Sequence, residues 1–127
     1  MTRYTPPDTI ARFVNATEGK LPFKVIGTSV AQRSIYGLEI GSGSIKVLLW
    51  SQMHGNESST TRALLRFLEA YTQEVRFSFL EKLTLYIIPQ LSPDGAAAFT
   101  RLNANGVDLN RDAEAQTQPE SKVLARI

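Results

Sequence analysis

The sequence contains no cysteine and a single histidine, His54. The first absence excludes a disulfide framework and any metal site built on thiolates. The second limits any metal site, since one imidazole is all the chain supplies. No apolar run approaches the roughly 20 residues needed to span a bilayer. The opening residues, Met1-Thr2-Arg3-Tyr4-Thr5-Pro6-Pro7, lack the apolar core of a secretory signal peptide. A cytoplasmic location without membrane association is therefore expected. Charge is nearly balanced, with 14 Lys and Arg against 12 Asp and Glu and a net charge of +2. Because the basic residues are also scattered, no nucleic-acid partner is expected. There is no internal repeat, low-complexity tract or linker. The 127 residues, 43% hydrophobic and 20% charged, have the size and composition of one domain that buries a core without staples.

Hydrophobic periodicity gives the elements. Ile10, Phe13 and Val14 recur at i, i+3 and i+4 and predict a short helix ending between Asn15 and Gly19. Phe23 to Val30 and Ser34 to Ile40 read as strands joined by a turn near Ala31-Gln32-Arg33. Gly41-Ser42-Gly43-Ser44 reads as a tight hairpin connection; no helix follows it, so it is not a phosphate loop. Ile45 to Trp50 is a nearly continuous apolar run, the pattern of a strand buried on both faces. From Glu57 to about Gln73, Leu64, Phe67, Leu68 and Tyr71 mark the apolar face of a helix, which Asn56 would cap with Glu57 in the first turn. Leu83 to Pro89 is a further strand. Strand, helix, strand makes a βαβ unit with parallel strands and a right-handed crossover. Ser92-Pro93-Asp94-Gly95 and Asn103-Ala104-Asn105-Gly106 are turn sequences. Ala113 to Gln118 reads as an exposed loop, and Pro119 opens a helix whose apolar members are Val123, Leu124 and Ile127. The expected fold class is α/β, with a mixed, largely parallel sheet and helices on both faces.

In open α/β sheets, sites form outside the carboxyl ends of parallel strands. Ser51-Gln52-Met53-His54-Gly55-Asn56-Glu57-Ser58 lies past one such end, and the segment from Gln90 onward past the other. The two stretches should share a crevice. His54 and Glu57, in the pattern H-x-x-E, supply the nitrogen and oxygen ligands that zinc accepts, although that short and common spacing alone favours a surface histidine and a capping glutamate. Asp108 is suited to accept the other ring N–H of a metal-bound histidine. Asn110 and Arg111 offer an amide and a planar fork for a carboxylate. Arg101 could stabilise an oxyanion. Taken alone, that polar stretch is also compatible with a charged surface turn.

The order His54-Gly55-Asn56-Glu57, a strand ending in Pro89, Ser92-Pro93-Asp94-Gly95, Arg101 and Asn105-Gly106-Val107-Asp108-Leu109-Asn110-Arg111 resembles the carboxypeptidase A-like zinc carboxypeptidases from about Ile45 to Asp112. The resemblance implies zinc ligation by His54 and Glu57, and carbonyl polarisation by Arg101. It further implies that Asn110 and Arg111 grip a substrate carboxylate and that Asp108 orients His54. In that family a second histidine ligand and a catalytic glutamate stand later in the domain. This chain has no second histidine, and Glu69, Glu74, Glu81, Glu114 and Glu120 are not at matching positions. The expectation is a single domain over residues 1–127, the N-terminal part of a longer metallocarboxypeptidase catalytic domain. The parent would hydrolyse a C-terminal peptide bond with Zn2+, and this chain alone, with an incomplete ligand set, would be inactive. Two alternatives stay open: a zinc-dependent amidohydrolase or deacylase of N-acyl amino acids, and a non-catalytic carboxylate-binding homologue. Either way the partner is a peptide or acyl amino acid with a free carboxylate. A truncated sheet would also leave an edge strand open to self-association.

Overall fold

Runs rich in apolar and β-branched residues favour extended backbone, and two such runs, Ile45–Trp50 and Leu83–Ile88, form the centre of the architecture. In the computed structural model, which describes residues 4–74 and 76–127, they are β3 and β4 and pair in parallel, from Ile45 opposite Leu83 to Trp50 opposite Ile88. The helix between them, α2 (Ser59–Thr72), makes the βαβ unit. Two earlier strands, β1 (Lys24–Thr28) and β2 (Ser34–Gly41), form an antiparallel hairpin, and β2 pairs antiparallel with β4. The strand order is β1-β2-β4-β3. The sheet is mixed, as the sequence predicts, but not largely parallel: among the described residues β1–β2 and β2–β4 are antiparallel and the β3–β4 ladder alone is parallel.

The alternation of side chains divides the core. Leu38 and Ile40 of β2 share one face with Leu85 and Ile87 of β4, and Leu68 of α2 packs there, fully buried. Burying such a leucine stabilises the fold by roughly 1.5–3 kcal/mol. Phe13 of α1 (Pro7–Ala16) packs against the same cluster. On the opposite face Ile35 and Ile88 meet Leu91, Leu109 and Val123, the last from α4 (Pro119–Ala125). Helices thus cover both faces. Among the described residues no helix is long and apolar enough to cross a membrane.

Several local expectations are corrected. Gly41 to Ser44 is not a hairpin connection, because β4 lies between β2 and β3. The loop instead runs against the entry to β4. A Cβ on Gly43 would stand 1.7 Å from the carbonyl carbon of Lys82, so only glycine fits. β3 is not buried on both faces: it lies at the edge of the sheet, with Ile45 57% and Trp50 42% exposed. α2 begins at Ser59, two residues beyond Glu57, so Asn56 does not cap it and Glu57 is outside its first turn. Ser92-Pro93-Asp94-Gly95 is not a free turn but the start of α3 (Pro93–Ala98), with Pro in the first turn, where its missing N–H costs nothing. Ile127 lies past α4 and is exposed.

Candidate metal centre

The pairing of β3 and β4 outlasts the strands. Ser51 N donates to Ile88 O at 3.1 Å, and Leu91 N to Ser51 O and Ser92 N to Gln52 O, each at 3.0 Å. Residues 51–58 and 90–95 therefore lie side by side at the carboxyl ends of the parallel strands. Gly55 then presses on α3: a Cβ there would stand 1.9 Å from the carbonyl carbon of Gly95. The loop is held from outside as well, by Asn56 N donating to Thr100 O at 3.1 Å. A turn at Asn103–Gly106 returns the chain toward it. The Asn103 side-chain oxygen accepts from the N–H groups of Asn105 and Val107, at 3.1 and 3.0 Å, and so sets the direction of the segment that carries Asp108.

Four predicted site residues meet as a result. His54 Nε2 donates to Asp108 Oδ1 at 2.9 Å, and Nδ1 lies 3.3 Å from Glu57 Oε1. Arg101 closes the ring, its Nε donating to Asp108 Oδ2 at 3.0 Å and its Nη1 to Glu57 Oε1 at 3.2 Å. The His54 side chain is only 12% exposed, whereas Glu57 is 62% exposed and reaches into solvent. The hydrogen bond from His54, reinforced by Arg101 and by the backbone N–H of Asn110, holds the Asp108 carboxyl at about 2, against the opposing effect of partial burial. Asp108 is thus an anion at neutral pH and an acceptor for the ring N–H, which fixes the orientation of the imidazole. Asn110 and Arg111 are exposed on the turn that follows; the Arg111 backbone N–H donates to Asp108 O at 2.9 Å. An open cleft of about 830 Å3, lined by Tyr4, Trp50, Met53, His54, Glu57 and Phe99 among others, lies over the histidine and glutamate.

The geometry of His54 and Glu57 can be tested against zinc. Two ligands each about 2.1 Å from one zinc ion, at a tetrahedral angle, stand about 3.4 Å apart. The observed separation of Nδ1 and Oε1 is 3.3 Å. The pair fits two of the four positions. Among the described residues no group of three or more His, Asp or Glu side chains is disposed to hold a metal ion. Asp108 is turned to the far ring nitrogen, and Arg101 occupies the side of Glu57 where a cation would act.

The residues that hold the loop in place carried no ligand-type signal in the sequence. Gln52 and Gln90 are each buried, and Thr61 of α2 is fully buried. Their amides and hydroxyl interlock beneath His54. The legible trace is positional: each glutamine follows its strand by two residues, at equivalent places on two parallel neighbours.

The family model for zinc carboxypeptidase (peptidase M14) matches residues 10–123. Carboxypeptidase 2 of Trichophyton equinum is 30% identical over 122 residues, covering 91% of this chain and 22% of that protein. The carboxypeptidase N catalytic chain of Homo sapiens is 30% identical over 129 residues, covering 82% of this chain and 28% of that one. Among solved structures, a metallo-carboxypeptidase from Burkholderia cenocepacia superposes with a TM-score of 0.83 at 21% identity, over 97% of this chain and 37% of that chain. A metallo-carboxypeptidase from Pseudomonas aeruginosa, in complex with (2-guanidinoethylmercapto)succinic acid, gives 0.77 at 27% identity over 97% of this chain and 36% of that one. The chain spans 22% and 28% of the length of these two sequence relatives.

Proposed function

Because the chain belongs to the zinc carboxypeptidase family, we propose that it carries half of the catalytic site of a zinc-dependent carboxypeptidase that hydrolyses a C-terminal peptide bond. The observation that carries this reading is the 3.3 Å separation of His54 Nδ1 and Glu57 Oε1, which matches two ligands of one tetrahedral zinc. Zinc, when bound, supplies Lewis acidity toward water and a carbonyl oxygen. Asp108 holds the imidazole through Nε2, so that Nδ1 faces the metal position. Arg101 lends a cation beside Glu57, in the place where a developing oxyanion would need one. Arg111 and Asn110, exposed on the turn after Asp108, offer a fork and an amide to the terminal carboxylate of a peptide. The Pseudomonas aeruginosa relative binds a succinic acid derivative, which is compatible with a carboxylate-recognising site. The remaining ligand and the general base are assigned to residues outside these 127. That assignment is supported by the single histidine and by the small share of each relative that the chain spans.

Zinc titration of the chain by calorimetry should give weak binding of one ion, lost in His54→Ala. In a longer protein containing these residues, release of the C-terminal residue from peptides should stop on chelation and in His54→Ala. Arg111→Ala should raise KM for peptides with a free carboxylate far more than it lowers kcat. Zinc binding that survives His54→Ala would refute the ligand assignment. Rapid peptide hydrolysis by residues 1–127 alone would refute the assignment of the missing groups. Hydrolysis of N-acyl amino acids in preference to peptides would redirect the substrate class.

A further inference from the structure

Gln52 sits in the left-handed region, at φ 50°, where residues other than glycine, asparagine and aspartate are uncommon, and it is 3% exposed. A strained backbone and a buried amide at one position need a compensating cause. The cause is a full set of hydrogen bonds. Gln52 Nε2 donates to Gly55 O at 2.8 Å and to Thr5 O at 2.9 Å. Its Oε1 accepts from Thr61 Oγ1 and from Gln90 Nε2, both at 2.9 Å. Its backbone oxygen accepts from Ser92 N. Both amide hydrogens and both oxygen lone pairs are used, which is the capacity of the side chain. Gln90 Nε2 donates a second bond, to Thr5 O at 3.0 Å. From above, the Tyr4 hydroxyl donates to Gly55 O at 2.9 Å and also contacts Ala96 O.

One side chain therefore links four separate segments: Thr5 ahead of α1, the Gly55 turn, helix α2 and Gln90, two residues past β4. The Gly55 turn is the short piece of chain between His54 and Glu57. It forms no part of a helix or strand; it packs on α3 at Gly95, and Asn56 N bonds to Thr100 O. Its carbonyl is fixed by Gln52 from within and Tyr4 from without. We infer that Gln52 is a positioning residue: it sets the His54–Gly55–Asn56–Glu57 turn so that Nδ1 and Oε1 keep the separation one metal ion requires. The metal consequence rests on the proposed function; the ordering of the turn does not.

Amide hydrogen exchange tests the ordering without metal. Asn56 N donates to Thr100 O and Glu57 N to His54 O, so both amides report on the turn. In Gln52→Met, which keeps length and removes the amide, exchange at Asn56 and Glu57 should rise about tenfold relative to Ser29, whose N donates to Arg33 O outside the Leu68 cluster, in the same sample. Leu68→Ala thins the core far from the turn and should leave that ratio within about twofold. Zinc titration then reads the consequence: affinity falls about tenfold in Gln52→Met and stays within about twofold in Leu68→Ala. Thr61→Val removes one of the four side-chain bonds and should move both readouts in the same direction by less, which keeps the test open if the methionine variant does not fold. An unchanged exchange ratio in the glutamine and threonine variants, or an equal change in Leu68→Ala, would overturn the inference. Altered exchange in Gln52→Met with no zinc bound by the parent chain would leave the positioning role standing and remove the metal reading instead.

Discussion

At the scale of single residues, the site is a closed circuit of donors and acceptors. His54 and Arg101 alternate with Glu57 and Asp108, so each carboxylate lies between the imidazole and the guanidinium. Asp108 shows the clearest consequence for stability. Its carboxyl is held at about 2, below its ordinary 3.8, chiefly by the His54 hydrogen bond. The folded state thus binds a proton less readily than the unfolded one. Its contribution is fully present above the unfolded pKa and is lost as pH falls from about 4 through about 2. For metal-free protein, melting temperature should drop over that window, and Asp108→Asn should flatten that part of the curve while lowering stability at neutral pH. A wild-type curve with no slope between pH 4 and 2 would contradict this. The same substitution should weaken zinc binding by roughly 10–100-fold, the usual effect of removing the partner that orients a histidine ligand.

At the scale of elements, the position of β4 decides most of what the sequence could and could not reveal. α2 was legible because Leu64, Phe67, Leu68 and Tyr71 repeat with the helical period. β3 and β4 were legible as apolar runs, and their parallel pairing followed from the helix between them. The strand order was not legible. Alternation tells which face of a strand is apolar and says nothing about its neighbour, so the glycine loop after β2 looked like a hairpin. Its glycines serve a close approach to Lys82 and Leu83 instead. Gly43→Ala should therefore cost roughly 1–3 kcal/mol or more in urea denaturation, as overpacking does, whereas Ser44→Ala should be nearly neutral. Equal midpoints for the two would show that the loop can move aside. The site was legible only in part. His54 and Glu57 stand out because imidazole and carboxylate are ligand types. Gln52 does not, because a neutral amide acquires its role only when Thr5, Gly55, Thr61 and Gln90 converge on it. The attachment of Arg101 to both carboxylates was hidden for the same reason: it depends on the Asn103 turn as well as on the motif.

At the scale of the whole molecule, among the described residues β3 pairs with β4 alone, and its other edge is free. A free edge flanked by exposed Ile45 and Trp50 is a template for another chain. The 127-residue chain should accordingly show concentration-dependent association in sedimentation equilibrium, over roughly the micromolar to millimolar range. Ile45→Lys with Trp50→Lys should shift it to monomer, and a wild-type chain that stays monomeric throughout would remove the edge as an interface. The strand order has a second consequence, for the sequence of events in folding. Among the described residues β4 follows the other three strands and is the only one that touches both β2 and β3. The first two strands can form their hairpin from local contacts, but β3 has no partner among the described residues that precede it. As the polypeptide leaves the ribosome, the His54 turn is therefore made before the strand that organises it, and the scaffold closes on that turn only when Leu83 to Ile88 arrive.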